Sequence, residues 1–477
     1  MTAPTTSERE LRDLAHFKRL LELWEGDTDF RERCREPALD RRALLARHGL
    51  DLADAELEAF WPLAALENRT GPEAQRLVAA MNESPLGRRW VEWQAATEAA
   101  HTAAARARFA TGNPRFDAWR ARQRARTLSE AYVPAIGEDY WPPLFAFELS
   151  SGCSKQCWFC AFSPEKLTRN FDYTPENRAL WRDVLRVGQA LFGNACQYSG
   201  LYHATEPSDN PDYLEFVTDF HAILGAVPQT TTADPLKNLD WTRRMLALRD
   251  LDPTTADRFS ILTPKALRGV HAAFTPEALR EVSLVLHNKG SIGVKNECGR
   301  AIENDALLGR SQDMTRDMLP EGKQLTPQLT LECLVGYLVN MVDHTIKLIS
   351  PCNESAQWPK GYIVHAEGRF TDAASFRAFV EDSIGRCARE KLGAADRLGF
   401  RRDLVFEKLD GGFGLVARYK RHKMRGNPHF GTLGELLRTG TYTAGEVVQR
   451  LTDEGMPAPQ AASWLEKLYQ RGLLAES

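Results

Sequence analysis

The 477-residue chain has no long apolar run: its longest, at 331–342, carries Glu332 and falls well short of the roughly 20 residues a membrane-crossing helix needs. It has no strong excess of charge of either sign. A formal net charge of −3 gives no global pull toward nucleic acid or an anionic membrane. The opening residues, Met1-Thr-Ala-Pro-Thr-Thr-Ser-Glu-Arg-Glu, lack the apolar core of a secretory signal and lead straight into a charged amphipathic pattern. Cysteine is scarce and irregularly placed, nine residues in all, which excludes a disulfide framework. Cys298, Cys333, Cys352 and Cys387 are too far apart to form the tight pairs of an auxiliary cluster domain. These absences lead us to expect a soluble cytoplasmic protein with no membrane partner and at most one metal cluster.

What the sequence does have is concentrated at 145–160, Phe-Ala-Phe-Glu-Leu-Ser-Ser-Gly-Cys-Ser-Lys-Gln-Cys-Trp-Phe-Cys. Phe145, Phe147 and Leu149 alternate as in a half-buried strand, and Ser151-Gly152 turns the chain into a loop. Cys153, Cys157 and Cys160 then form C-x3-C-x2-C. No fourth Cys or His lies nearby to complete a tetrahedral zinc site, the alternative reading of such a loop. Three thiolates suit a four-iron cluster with one iron left open to a ligand.

Around this loop the chain falls into three parts. Residues 1–139 read as helical, with Leu14, Phe17, Leu20, Leu21 and Trp24 on one face and further short helices about a stop at Gly49. Between Arg88 and Arg126 nine arginines are interleaved with aromatics. Such a face could dock an acidic peptide or a nucleic acid, but we expect a solvated helix face. Residues 140–400 show short apolar runs at 144–149, 195–201, 226–232, 258–263, 282–287 and 344–350, separated by helical stretches, the pattern of repeated βα units and a parallel sheet. The stretch 329–342 reads as an apolar helix that buries Cys333. Residues 401–477 read as a hairpin about Asp410-Gly411, two helices opened by the capping boxes Thr432/Glu435 and Thr443/Glu446, and a third carrying Ala461, Leu465 and Leu468. Strands followed by three helices make a winged-helix-like module, and its last helix has little basic character to enter a DNA groove.

The cysteine spacing, with aromatic Phe159 just before the third cysteine, resembles the signature of the radical S-adenosylmethionine enzymes. The resemblance implies a partial (β/α)6 barrel, one [4Fe-4S] cluster on Cys153, Cys157 and Cys160, S-adenosylmethionine on the open iron, and an electron donor such as flavodoxin or ferredoxin. It also makes Glu206 and, on the fourth run, Arg258 and Ser260 cofactor-binding residues beside Phe159. Glu206 stands in Tyr202-His-Ala-Thr-Glu-Pro, which resembles the family's Gly-Gly-Glu-Pro with Ala204 and Thr205 in place of the glycines. Its alternative role is a helix N-terminal carboxylate before Pro207.

The layout, a helical front including 30–52, the cluster motif and Ser350-Pro351-Cys352 after the sixth run, is similar to that of the radical epimerases of ribosomally made, proteusin-type peptides. That likeness implies a precursor-peptide partner whose leader part docks on the C-terminal module, and conversion of L- to D-residues. Cys352 is then the hydrogen donor, with Cys298 in reserve. The alternatives left open are a radical enzyme that crosslinks peptides through sulfur or carbon, and a non-catalytic iron-sulfur sensor using its winged helix on DNA.

Overall fold

A computed structural model describes residues 7–36, 39–66, 71–130, 140–292, 299–300, 332–417 and 420–476. The N-terminal part is helical as its 3.6-residue pattern requires: α1 (Glu8–Gly26), α2 (Thr28–Cys34), α3 (Arg41–Arg47), α4 (Gly71–Glu83), α5 (Pro85–Ala107) and α6 (Pro114–Glu130). Ser7 and Glu10 cap α1 reciprocally, and Asp27 caps α2. Phe17, Trp24, Phe30, Leu45, Trp61 and Trp90 form their common core.

The chain then alternates strands and helices. In order these are β1 (Phe145–Glu148), β2 (Ser150–Ser151), β3 (Arg169–Asn170), α7 (Pro175–Phe192), α8 (Tyr213–Leu224), β4 (Thr231–Thr232), α9 (Leu239–Ala247), β5 (Arg258–Ile261), α10 (Pro264–Ala273) and β6 (Ser283–Leu286). β4, β5 and β6 form a parallel sheet in that order. The chain divides into two compact units. One holds residues 1–106, 147–182 and 200–314, and the other holds 107–146, 183–199 and 315–477, so the stretch 1–139 contributes to both.

In the second unit β7 (Gly336–Asn340), β8 (Thr345–Pro351) and β9 (Tyr362–Arg369) form an antiparallel meander, with β1 next to β7. Two expectations fail here. The run 344–350 is a strand but runs antiparallel, and within the described residues 332–342 a strand, Gly336–Asn340, stands where a helix was expected. Tyr337, Leu338 and Val339 are all buried, and a short strand covered on both faces has no alternation to separate it from helix. Cys333 lies at the exposed start of this segment, not in a core. The second run, 195–201, also departs: Gly193 in the left-handed region opens a single 3-10 turn, Gly193–Gln197, and Gly200 O accepts from Phe147 N at 2.8 Å.

The arginine helix is the largest correction. α6 is not a solvated face: Trp119 and Arg120 are 0% exposed and Arg122 1%. Its cations serve carbonyl oxygens in the second unit. Arg120 donates to Val335 O (3.0 Å), Pro142 O (2.8 Å) and Phe109 O, and Arg122 donates to Glu476 (2.6 Å) and Arg389 O (2.7 Å) while lying over the Tyr469 ring. The buried charge of Arg120 is tolerable because each of its three nitrogens finds such a partner.

The C-terminal module has the expected hairpin and three helices, with a third strand between them that was not expected. β10 (Val405–Leu409), β11 (Gly412–Val416) and β12 (Arg421–Met424) form an antiparallel sheet, followed by helices Phe430–Thr439, Ala444–Asp453 and Ala458–Gln470. Thr443 and Glu446 make their capping box, but Thr432 lies inside a helix that already starts at Phe430. Gly434 must stay small, because a Cβ there would sit 2.7 Å from the Phe413 ring.

Candidate functional site

The cysteine loop belongs to the first unit and is closed at its base by β2 pairing with β3, Ser150 opposite Asn170. Gly152 has φ +85°, and a Cβ on it would meet Lys166 O at 2.3 Å, so the turn admits glycine alone. Cys153 N donates to Glu165 O (2.9 Å) and Leu167 N returns to Cys153 O (3.3 Å), which ties the two limbs together. Gln156 takes a left-handed conformation, φ +46°, and holds it with its own amide, donating to Cys153 O at 3.0 Å. Arg300 clamps the outer limb: its backbone N donates to Cys160 O (3.0 Å) and its guanidinium to Gln156 Oε1 (2.8 Å) and Pro164 O (2.6 Å). Asp209 receives Ser154 N and Oγ at 2.8 and 2.6 Å, and Lys155 pairs with Asp234.

The three thiols are partly exposed on this loop. Burial, and the nearness of Cys160 and Cys153, push the Cys157 thiol up to about 12; burial likewise raises Cys153. A thiol raised in this way gives up its proton at neutral pH when a metal takes its place. Among the described residues no three His, Cys, Asp or Glu side chains converge closely enough to hold one metal ion. Three cysteine thiolates with no fourth protein ligand can each hold one iron of an iron-sulfur cube, and the donor set fits that group.

Phe159 lies flat on His287, ring centroids 3.5 Å apart and planes within 10°, which brings the loop to the C-terminal end of β6. Glu206 is buried and already engaged: Thr232 Oγ1 and Ser208 N (3.2 Å) donate to Oε1, and Ala233 N (2.8 Å) donates to Oε2. Burial raises its pKa against these bonds. The carboxylate thus caps the 3-10 turn Pro207–Asp209 and fastens it to β4, with lone pairs left for a further donor. Ser260 is half-buried in β5. Arg258 pairs with Ser283 at the start of the sheet, four strand residues or about 13 Å from His287, and so stands away from the cysteine loop. His287, Arg300, Asp209 and Gln156 escaped sequence reasoning. Only His287 carried a signal, as the last residue of a strand run, where parallel α/β sheets place ligands.

In the second unit β8 delivers Pro351 and Cys352. Cys352 is buried, its backbone N donates to Gly361 O (2.9 Å), and Arg126 fixes the approach through Ser350 Oγ and Pro351 O, both at 2.7 Å. Cys298 lies outside the described residues. Ser350 Oγ is also 2.7 Å from His365 Nε2. Arg126 can only donate, so the serine oxygen accepts from it and its hydroxyl hydrogen is free to go to His365 Nε2, an arrangement that suits a neutral Nδ1–H ring. Burial, with Arg126 beside it, lowers its pKa to about 3. The unfolded chain, with an ordinary value of about 6.5, takes up a proton the native state refuses. Stability from this residue is therefore complete above about pH 6.5 and lost as pH falls toward 3, by up to about 1.4 kcal/mol per pH unit. Urea unfolding at pH 7 and pH 5 should show a loss that shrinks by about 2 kcal/mol in His365→Gln; equal losses in both proteins would contradict the assignment.

Among the described residues no helix is long and apolar enough to cross a membrane. Residues 398–472, the sheet-and-three-helix module, match the family described as Protein y4wI C-terminal domain. Over 469 residues the chain is 34% identical to "Uncharacterized protein y4wI" of Sinorhizobium fredii, covering 98% of this chain and 88% of that one. A crystal structure of BtrN in complex with AdoMet and 2-DOIA shares 15% identity across 43% of this chain and 71% of its own. Its TM-score of 0.26 is too low to carry an argument.

Proposed function

The chain belongs to the family of Sinorhizobium fredii y4wI, and we propose that it is a radical S-adenosylmethionine enzyme that epimerises residues of a ribosomally made peptide. The observation that carries the first half is the loop itself: three partly exposed thiols on a C-x3-C-x2-C turn, braced by Gln156, Arg300 and Asp209. Cys153, Cys157 and Cys160 would hold one [4Fe-4S] cluster. With S-adenosylmethionine on its open iron, and an electron from a flavodoxin- or ferredoxin-like donor, that group supplies a carbon-centred radical able to take a hydrogen atom. Lys155 N lies 3.4 Å from Cys153 Sγ, an amide donor aimed at a ligand sulfur, which makes reduction easier. Glu206 and Phe159 are the residues of the loop's surroundings suited to the bound S-adenosylmethionine.

The second half rests on Cys352. Inverting an α-carbon requires removal of hydrogen from one face and its return to the other, so a second donor is needed. A thiol gives a hydrogen atom to a carbon radical readily, and Cys352 ends a strand whose approach Pro351 and Arg126 hold still. The C-terminal module, lacking a basic helix, is the part we assign to the leader of the precursor. Mass spectrometry of a co-produced precursor in deuterium oxide tests the reading. Epimerisation exchanges the α-hydrogen and adds one mass unit per site, whereas crosslinking removes two; a loss of two would sink the epimerase reading.

A further inference from the structure

Beside the parallel sheet of the first unit lies a cavity of about 1020 Å³ that the chemistry above leaves unused. One wall is β6 with its flanks, from Arg280 to His287, and the other is α5, from Trp90 to His101. From the start of β6 at Ser283 to His287, that first wall spans four residue steps, about 13 Å. Its volume stands at the top of the range of about 300–1,000 Å³ for small-molecule sites. On α5, Trp93, Thr97 and His101 recur every fourth residue and are partly covered, while the residues between them are exposed. That face looks across the gap at β6 instead of packing on it.

The backbone of β6 supplies what a small-molecule site lacks. β6 is an edge strand among the described residues, bonded to β5 on one side. Ser283 N donates to Asp257 O (2.8 Å) and His287 N to Ile261 O (2.9 Å), so residues 283, 285 and 287 face β5. The alternation turns the N–H and C=O of Leu284 the other way, into the cavity. We propose that the cavity takes an extended peptide segment, which adds to β6 as a further strand and covers the Leu284 backbone groups, with side chains set against the stacked Trp90 and Trp93 rings (5.2 Å). The channel ends at His287, the residue that Phe159 stacks on, so a strand lying in it leads to the cysteine loop. That this peptide is the substrate rests on the reading above; that the channel takes a peptide strand does not.

The full-length protein, immobilised, should enrich binders from a phage-displayed random dodecapeptide library. The enriched sequences, made as fluorescein-labelled peptides, should bind at least tenfold more weakly to Thr97→Trp, which fills the channel from a partly covered helix position. They should bind Val91→Trp, on the outer face of α5, as they bind the wild type. N-methylation of alternate peptide residues should weaken binding at one parity and spare the other. Leu284→Pro, which removes the N–H, should match Thr97→Trp if it folds. The protein with Cys153, Cys157 and Cys160 all replaced by alanine should bind the same peptides within twofold, so the channel and the cluster succeed or fail separately. No enrichment, or binding indifferent to Thr97→Trp and to N-methyl parity, would overturn the proposal.

Discussion

Cys352→Ala is expected to keep making 5′-deoxyadenosine in the presence of peptide while yielding little or no D-residue. The two halves of an inversion use different groups, so removing the second leaves the first running. The carbon radical then has no partner on its other face, and the product should fall by about 100-fold or more, on the order expected when a positioned reactant is lost. Arg126 supports the strand end without touching substrate, and Arg126→Lys should slow the reaction less than loss of the thiol, since a lysine can still reach one of its two oxygens. The readouts are chiral amino-acid analysis of the hydrolysed peptide and chromatography of the nucleoside. Normal D-residue formation by Cys352→Ala would remove Cys352 as donor and make Cys298→Ala the next variant to measure.

The largest expected effect on stability belongs to Arg120. Burial lowers its pKa to about 10, which still leaves it charged at neutral pH. Its donors hold the carbonyls of Val335 and Pro142, and its guanidinium lies over the Phe109 ring at 4.4 Å. Arg120→Met fills most of the volume yet leaves those buried oxygens without a donor, at about 1–3 kcal/mol for each. A total loss of about 4 kcal/mol would unfold much of the second unit at 37 °C. Arg115→Met is the comparison, because Arg115 is exposed and its bond to Gly385 O lies where water can replace it. Urea unfolding midpoints should therefore drop sharply for Arg120→Met and barely for Arg115→Met. Equal, small shifts would show that the α6 arginines are surface charges after all.

That contrast also marks where the sequence stops being legible. A run such as Arg120-Ala121-Arg122-Gln123-Arg124 has the composition of a solvated helix, and nothing local reveals that carbonyls from residues 109, 142, 335 and 389 wait for its donors. The cysteine loop was legible because its demands are local: Gly152 for a left-handed turn, three thiols at fixed spacing, and a strand with alternating Phe145 and Phe147. What braces it was not, since Arg300, Asp209 and His287 come from 55 to 144 residues away in sequence. β5 and β6 were legible as apolar runs bounded by turns. β7 was not, because Tyr337, Leu338 and Val339 are buried on both faces, and burial on both faces erases the period of two. Glu206 shows a third case: its place was found, but its bonds to Thr232 and Ala233 give it a structural role beside any toward a cofactor.

The central claim is that Cys153, Cys157 and Cys160 hold one cluster with an open iron. Electron paramagnetic resonance of the anaerobically reconstituted, dithionite-reduced protein tests it most directly, with and without S-adenosylmethionine. The account predicts the signal of a single reduced four-iron cluster, at about four irons per chain, whose g-values shift when S-adenosylmethionine is added. It should be absent from Cys157→Ala. A protein that binds zinc in place of iron, or a cluster signal that S-adenosylmethionine leaves unmoved, would contradict it.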